Sequence, residues 1–255
     1  MVNFGTQDKY LDNMKIAIAM PMYNRRNDIA EVIIALSKND LTDCIIVTSE
    51  EPCEEVSSLL DGINFLNIKR HKNPERLGCN GNIVQSLNLA FQEADYVICL
   101  EDDIVPGKDF IELYRWYFSQ VELTKKYPII TSYNKSNDNY LGIIDIFCKT
   151  LVNKVDSVYG FCPWGWGMTK ENWESKFNKF EFIDLPSSLT WDLQFAEHLI
   201  ENDSKILHPV VGRSQNIGSE GTYVPSKEFH EQHQHCKYWI DSYDFPKVMD
   251  FEFVK

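Results

Sequence analysis

Three consecutive acids, Glu101-Asp102-Asp103, directly follow the apolar run Tyr96-Val97-Ile98-Cys99-Leu100. The run reads as a buried strand, so the acids stand at its C-terminal end. Carboxylates are costly to bury unless they are paired or bind a metal. In an open α/β sheet, ligands bind just outside the carboxyl ends of the strands. The cluster is therefore placed to hold a hard divalent cation, and through it a substrate's phosphates. A solvated acidic turn would use the same residues, and on this stretch alone the two readings weigh equally.

Other residues suited to phosphate and sugar chemistry are spread along the chain. Arg25 and Arg26 follow an early apolar run, and guanidinium groups match phosphate oxygens; the alternative is a pair of solvated arginines. Pro163-Trp164-Gly165-Trp166-Gly167 joins glycines, which let backbone approach a ligand, to indoles, whose flat faces suit sugar rings. A packed aromatic corner would use the same residues. Gly78 either shapes a ligand floor or only turns the chain. Asp192 is either an acid–base group or a helix cap. His230, His233 and His235 lack zinc-site spacing and read as solvated.

The bulk composition excludes several classes. A formal net charge of −13 argues against nucleic acid as a partner and against a polybasic membrane anchor. A cation could still bring phosphates to the site, because it supplies positive charge locally. No apolar run approaches the ~20 residues that span a bilayer. The start of the chain, MVNFGTQDKYLDN, has no signal-peptide core. The seven cysteines are scattered without CxxC spacing, which predicts reduced thiols and a cytoplasmic protein. Asn134-Lys135-Ser136 and Asn202-Asp203-Ser204 match a glycosylation sequon, a pattern common by chance.

The elements that must position these groups alternate. Met14 to Met20 is a strand ended by Pro21, and Asp28 to Ser37 is a helix capped by Asn27 or Asp28. Asp43 to Thr48 is a strand, Glu54 to Leu60 a short helix, Asn64 to Lys69 a strand. A Gly/Asn/Pro loop, Asn73 to Asn82, leads to a helix over Ile83 to Ala94 and then to the acidic strand. Lys108 to Lys126 is predicted as one long helix, followed by a strand at Ile129 to Tyr133. Further on come a Gly/aromatic loop at Phe161 to Gly167, helices in Lys170 to Phe180 and over Thr190 to Glu201, and a strand at Ile206 to Val211. This alternation predicts an α/β fold with a mostly parallel, Rossmann-like central sheet flanked by helices.

The order of these segments resembles the GT-A glycosyltransferases, family 2-like, and in particular the N-acetylglucosaminyltransferase I family. Pro21-Met22-Tyr23-Asn24-Arg25 resembles their opening loop, Asn73 to Gly78 with Asn82 their second nucleotide-side loop, and Glu101-Asp102-Asp103 their DxD element. The resemblance covers roughly residues 14 to 223. It implies one domain over residues 1–255, with a nucleotide-sugar-binding half at about 14–133 and an acceptor half at about 134–255. It implies a nucleotide-sugar donor, a UDP-sugar, a glycan or related hydroxyl acceptor, and Mn²⁺ or Mg²⁺. Asp103 would be the metal ligand, with Asp102 on the ribose or a metal-bound water and Glu101 behind them. Pro21, Tyr23, Asn24, Arg25, Arg76, Gly78 and Asn82 would line the nucleotide site. Glu50, or Glu51 beside it, would accept uracil N3–H. Trp164, Gly165, Trp166, Arg213, Ser214 and Asn216 would contact donor or acceptor. Asp192 would be the base of an inverting transfer. A nucleotidyltransferase is the enzymatic alternative, disfavoured because the loop after strand one has no glycine. A non-catalytic carbohydrate-binding protein would leave the three acids without a purpose.

Overall fold

The computed structural model describes residues 14–134, 151–177, 190–219, 224–235, 239–242 and 245–254. The chain's first residues, Lys135 and Ser136 of the first sequon, Cys148 and Cys236 lie outside them. The first part alternates as the sequence predicts: β1 (Ile16–Met22), α1 (Arg26–Leu36), β2 (Cys44–Glu50), α2 (Glu54–Asp61), β3 (Ile68–Lys72), α3 (Gly78–Glu93) and β4 (Tyr96–Cys99). Then come β5 (Ile104–Pro106), α4 (Phe110–Ser119), α5 (Val121–Lys126), β6 (Ile130–Thr131), β7 (Lys154–Val158) and β8 (Trp166–Thr169). A short α6 (Lys170–Asn172) runs into a π turn over Trp173–Phe177. It is followed by α7 (Trp191–Glu201), β9 (Ile206–Pro209), β10 (Ser214–Asn216), α8 (Lys227–His233) and β11 (Glu252–Phe253).

Among the described residues, nine strands form one sheet in the order β11-β7-β9-β6-β8-β4-β1-β2-β3. The quartet β3-β2-β1-β4 is wholly parallel, while β8 enters antiparallel to both β4 and β6. A separate antiparallel ribbon pairs β5 with β10. Strand alternation sorts β1 between two cores. Ile16, Ile18 and Met20 face one side with α1 and α4, whereas Ala17 and Ala19 face Ile83, Leu87 and Ala90 of α3. The small alanines let α3 lie close to the sheet, and β1 thus becomes its fully buried centre.

Four boundaries differ from expectation. Pro21 does not end β1 but lies inside it, paired with Ser49. Ala19 accepts the Leu100 N–H on the β4 side, and Pro21 has the same orientation two residues on. By then β4 has ended, so the missing proline N–H breaks no ladder bond. The third strand lies at Ile68–Lys72 rather than Asn64 to Lys69. It is an edge strand, and its run of Lys69, Arg70, His71 and Lys72 hides the apolar signal while discouraging edge-to-edge pairing. The helix expected from Ile83 starts at Gly78. The long helix expected over Lys108 to Lys126 breaks at Gln120, which has φ −95° and ψ 74°. The break redirects the chain so that the Tyr117 hydroxyl donates to the Tyr127 carbonyl at 2.7 Å.

Candidate active site

A cleft of about 440 Å³ opens at the C-terminal ends of β1 and β4. Pro21, Tyr23, Asn24 and Arg25 reach it from the turn after β1, and Arg76, Gly78 and Asn82 from the start of α3. Glu101, Asp102 and Asp103 enter after β4, Trp164 from the aromatic loop, Asp192 from the first turn of α7, and Asn216 from β10. Residues more than a hundred positions apart thus meet where ligands bind in open α/β sheets. A larger groove of about 750 Å³ lies at the opposite end of β4, between Asp95, Phe118 and Lys176. It contains none of the residues that the sequence singles out for chemistry.

The acids form a concentrated negative field. Asp102 Oδ2 accepts the Tyr23 N–H at 3.1 Å. Arg25 pairs with Asp103 and lies 4.0 Å from Asp102. Burial, then the charges of Asp102 and Asp192, push the Glu101 carboxyl up to about 8, against the pull of Arg25. Burial also raises Asp102, outweighing Arg25 and the Tyr23 N–H. The β5–β10 ribbon closes over this cluster, since the Asp103 carbonyl accepts the Ile217 N–H at 2.9 Å. Gly218 lies so close that a Cβ there would collide with Asp103 Oδ2 and Arg25 Nη1.

The floor is a polar relay. Asn82 Nδ2 donates to the Met22 carbonyl at 3.2 Å, and Asn73 Nδ2 donates to Asn82 Oδ1 at 3.1 Å. Both carboxylate oxygens of Glu51 accept the Leu77 N–H, at 2.9 and 3.1 Å. Arg76 lies 4.5 Å over the Tyr23 ring, a cation–π contact. Gly78 has φ +75° with open space around it, so its glycine character serves the backbone turn.

Five expected contact residues are not in the cleft. Glu50 is buried and bound by Arg70 at 2.7 and 2.6 Å, and its neighbour Glu51 takes the cleft position instead. Adjacent residues leaving a strand point to opposite sides, which separates the two glutamates. Gly165, at φ +79°, is backed against Ser132 and Phe110, so its close approach is to protein rather than ligand. Trp166 is only 1% exposed and packs on Phe161, Phe195 and Trp191. It belongs to β8, which sits inside the sheet. Arg213 is fully buried, with Nε 3.2 Å from Asp109 Oδ1. Ser214 is buried too and donates to the Trp164 carbonyl at 2.8 Å.

Asp192 is not the N-cap of α7. Thr190 holds that position, which leaves the Asp192 carboxylate in the first turn and facing the cleft. His230 is not solvated but buried, with Nε2 3.2 Å from Asn216 Oδ1. Asn216 Oδ1 also accepts the Gly218 N–H at 2.8 Å, so His230 braces the loop that covers Asp103. His233 and His235 are exposed. Gly218, Leu193, Phe229 and Gln234 also line the cleft. Leu193 arrives beside Asp192 on α7, whereas nothing local marks Gly218, Phe229 and Gln234, which reach the cleft through the return of β10 and α8 over the acids.

No family model matches the chain, and no curated protein matches it. Among solved structures, a crystal structure of S. aureus TarS 1–349 superposes with a TM-score of 0.53 at 16% identity. The match covers 79% of this chain and 60% of that one, so the chain spans about three-fifths of that chain's length. A second crystal structure of S. aureus TarS gives a TM-score of 0.37 at 19% identity, over 46% of this chain and 21% of that one. The segment order that resembles N-acetylglucosaminyltransferase I finds no support in these matches. Among the described residues, no helix is long and apolar enough to cross a membrane. The chain has an α/β, GT-A-like fold with a mostly parallel central sheet flanked by helices.

Proposed function

We propose that the chain is a glycosyltransferase that moves a sugar from a nucleotide-sugar donor, a UDP-sugar, to a hydroxyl of a glycan or related acceptor. The observation that supports it best is the convergence of Arg25, Glu101 to Asp103 and Asp192 on one cleft. In this reading Pro21, Tyr23, Asn24, Gly78 and Asn82 hold the nucleoside, with Glu51 in place of Glu50 as the acceptor for the base. Arg25 and Arg76 meet the diphosphate, which guanidinium groups suit. Residues 14–133 supply most of the donor side and residues 134–255 the acceptor side.

The acids fit a divalent ion, Mn²⁺ or Mg²⁺. Asp102 and Asp103 offer hard oxygen donors at 15% and 14% exposure, and the Arg25 guanidinium already stands beside them as a cation. Among the described residues no cluster of three protein ligands occurs. Such ions often take one or two carboxylates and complete their shell with phosphates and water. When bound, the ion offsets the charge that develops on the departing diphosphate. Asp192 takes the proton of the acceptor hydroxyl as its oxygen attacks the anomeric carbon. The bond from that carbon to the phosphate oxygen breaks on the far side, so the configuration inverts.

A thermal-shift screen of nucleotide sugars, with and without Mn²⁺, tests this reading. A ligand that binds only the folded state stabilises it by about 2.7 kcal/mol at a hundred times its Kd. The expected result is a shift by a UDP-sugar that grows with Mn²⁺ and is lost in Asp103→Ala, which should fold normally. Asp192→Asn should keep the shift and lose transfer. A metal-dependent shift that survives in Asp103→Ala would remove the assigned ligand, and full transfer by Asp192→Asn would remove the base.

A further inference from the structure

Asp102 and Asp103 face a cation that the chain itself supplies. Asp102 Oδ2 accepts the Tyr23 N–H at 3.1 Å, and its other oxygen, Oδ1, lies 4.0 Å from Arg25 Nη1. The same Nη1 pairs with Asp103 Oδ2. One nitrogen thus faces an oxygen of each acid. Both carboxyl groups are largely buried, so the pairing offsets charge that water reaches poorly. An ion shared by these two oxygens needs the place that Nη1 takes. Two cations on so small a set of oxygens also repel, more strongly here than in bulk water.

The surroundings restrict how Arg25 can yield. Its backbone is fixed, because its carbonyl accepts the Ile29 N–H at 2.9 Å in the first turn of α1. On one side Gly218 leaves no room, since even a Cβ there would collide with Nη1 and Asp103 Oδ2. Gly218 is itself held: its N–H donates to Asn216 Oδ1 at 2.8 Å, and His230 Nε2 lies 3.2 Å from the same oxygen. The Arg25 side chain lines the cleft and is 26% exposed, more open than either acid. Its open way is therefore into the cleft, where a diphosphate offers a planar guanidinium paired oxygens.

We propose that Arg25 guards the metal position of the donor site. Its guanidinium stands between Asp102 and Asp103 and moves to the diphosphate, so the carboxylates become available to a divalent ion as the donor binds. Metal and donor then bind as a coupled pair, each raising the affinity for the other by the same factor. The proposal rests on the reading that this cleft takes a nucleotide sugar with Mn²⁺ or Mg²⁺.

The test uses the full chain. Mn²⁺ binding is read from the loss of the free ion's paramagnetic resonance signal, alone and with saturating UDP, and UDP binding by isothermal titration. Wild type should bind Mn²⁺ weakly alone and at least about tenfold more tightly with UDP. Arg25→Gln should bind Mn²⁺ alone about tenfold more tightly than wild type, yet bind UDP with Mn²⁺ about tenfold more weakly. A merely structural role for Arg25 would weaken both. The helix bond of Arg25 is made by its backbone, so this variant should fold. Arg25→Lys keeps the charge, gives a second reading, and should bind Mn²⁺ alone as weakly as wild type. Arg26 is exposed, and Arg26→Gln, which removes the same charge from the next residue, should leave both affinities unchanged. Mn²⁺ affinity in Arg25→Gln no higher than in wild type, or raised equally in Arg25→Lys or Arg26→Gln, overturns the proposal alone. So does undiminished UDP affinity in Arg25→Gln. A wild type that binds UDP but no Mn²⁺ overturns the metal reading, and one that binds no UDP overturns the donor reading, each taking this proposal with it.

Discussion

Glu101 lies among like charges in a confined place, and its raised pKa makes the protein's stability depend on pH. The folded state keeps a proton on it up to about pH 8, whereas the unfolded chain releases that proton near the ordinary glutamate value. Stability from this group is therefore greatest below about pH 4.5 and is lost as pH rises to about 8, by at most about 1.4 kcal/mol per pH unit. Asp102 adds to the same trend. His230 acts in the opposite sense: burial lowers its pKa, so protonation of the unfolded chain below about pH 6.5 costs stability. Urea denaturation of metal-free protein between pH 6.5 and 8.5 isolates the carboxylates. Glu101→Gln should flatten the decline and be more stable than wild type at pH 8. An unchanged slope would place the proton elsewhere.

Two elements hold the site together by different means. The β5–β10 ribbon presses Gly218 against the ends of Asp103 and Arg25. An alanine there meets flexible side-chain ends, so Gly218→Ala should leave the melting temperature nearly unchanged yet displace both charged groups. Isothermal titration with UDP and Mn²⁺ is expected to show at least tenfold weaker binding, about 1.4 kcal/mol. Native affinity would mean that the ribbon does not set the acid geometry. Behind the ribbon, the buried Asp109–Arg213 pair fastens the C-terminal segment, because Asp109 Oδ2 also accepts the Val248 N–H at 2.9 Å. Removing one partner leaves a buried charge uncompensated. Asp109→Ala should therefore lose about 3–5 kcal/mol in urea denaturation. A loss below about 1 kcal/mol would show that Arg213 finds other compensation.

At the scale of the whole molecule, a chain of formal net charge −13 carries a site proposed to take an anionic donor. Among the described residues that line the cleft, Arg25 and Arg76 are the cations, and the long-range field opposes them. Salt screens the long-range field first, because the Debye length falls from about 30 Å at 0.01 M to about 8 Å at 0.15 M. Stopped-flow measurement of UDP association at fixed Mn²⁺ should show a rate that rises with salt over this range. A falling rate would mean that the two arginines dominate even at a distance.

Much of this molecule is legible along the chain. The β–α alternation to β4 follows from apolar runs and helical spacing, which are local consequences of burial, and the strand ending in Glu101-Asp102-Asp103 could be read directly. Thirteen of the eighteen site residues named from the sequence line one cleft. The failures share a cause. Glu50, Gly165, Trp166, Arg213 and Ser214 have the right chemistry, but whether each reaches the cleft depends on partners far along the chain: Arg70, Ser132, Phe195, Asp109 and Trp164. Gly218 and Gln234 carry no local mark at all. Sequence determined the elements and the acidic cluster, because propensity and periodicity act over a few residues. Only the tertiary structure decided which groups share the cleft, because that depends on the antiparallel entry of β8 and the return of β10 and α8 over the acids.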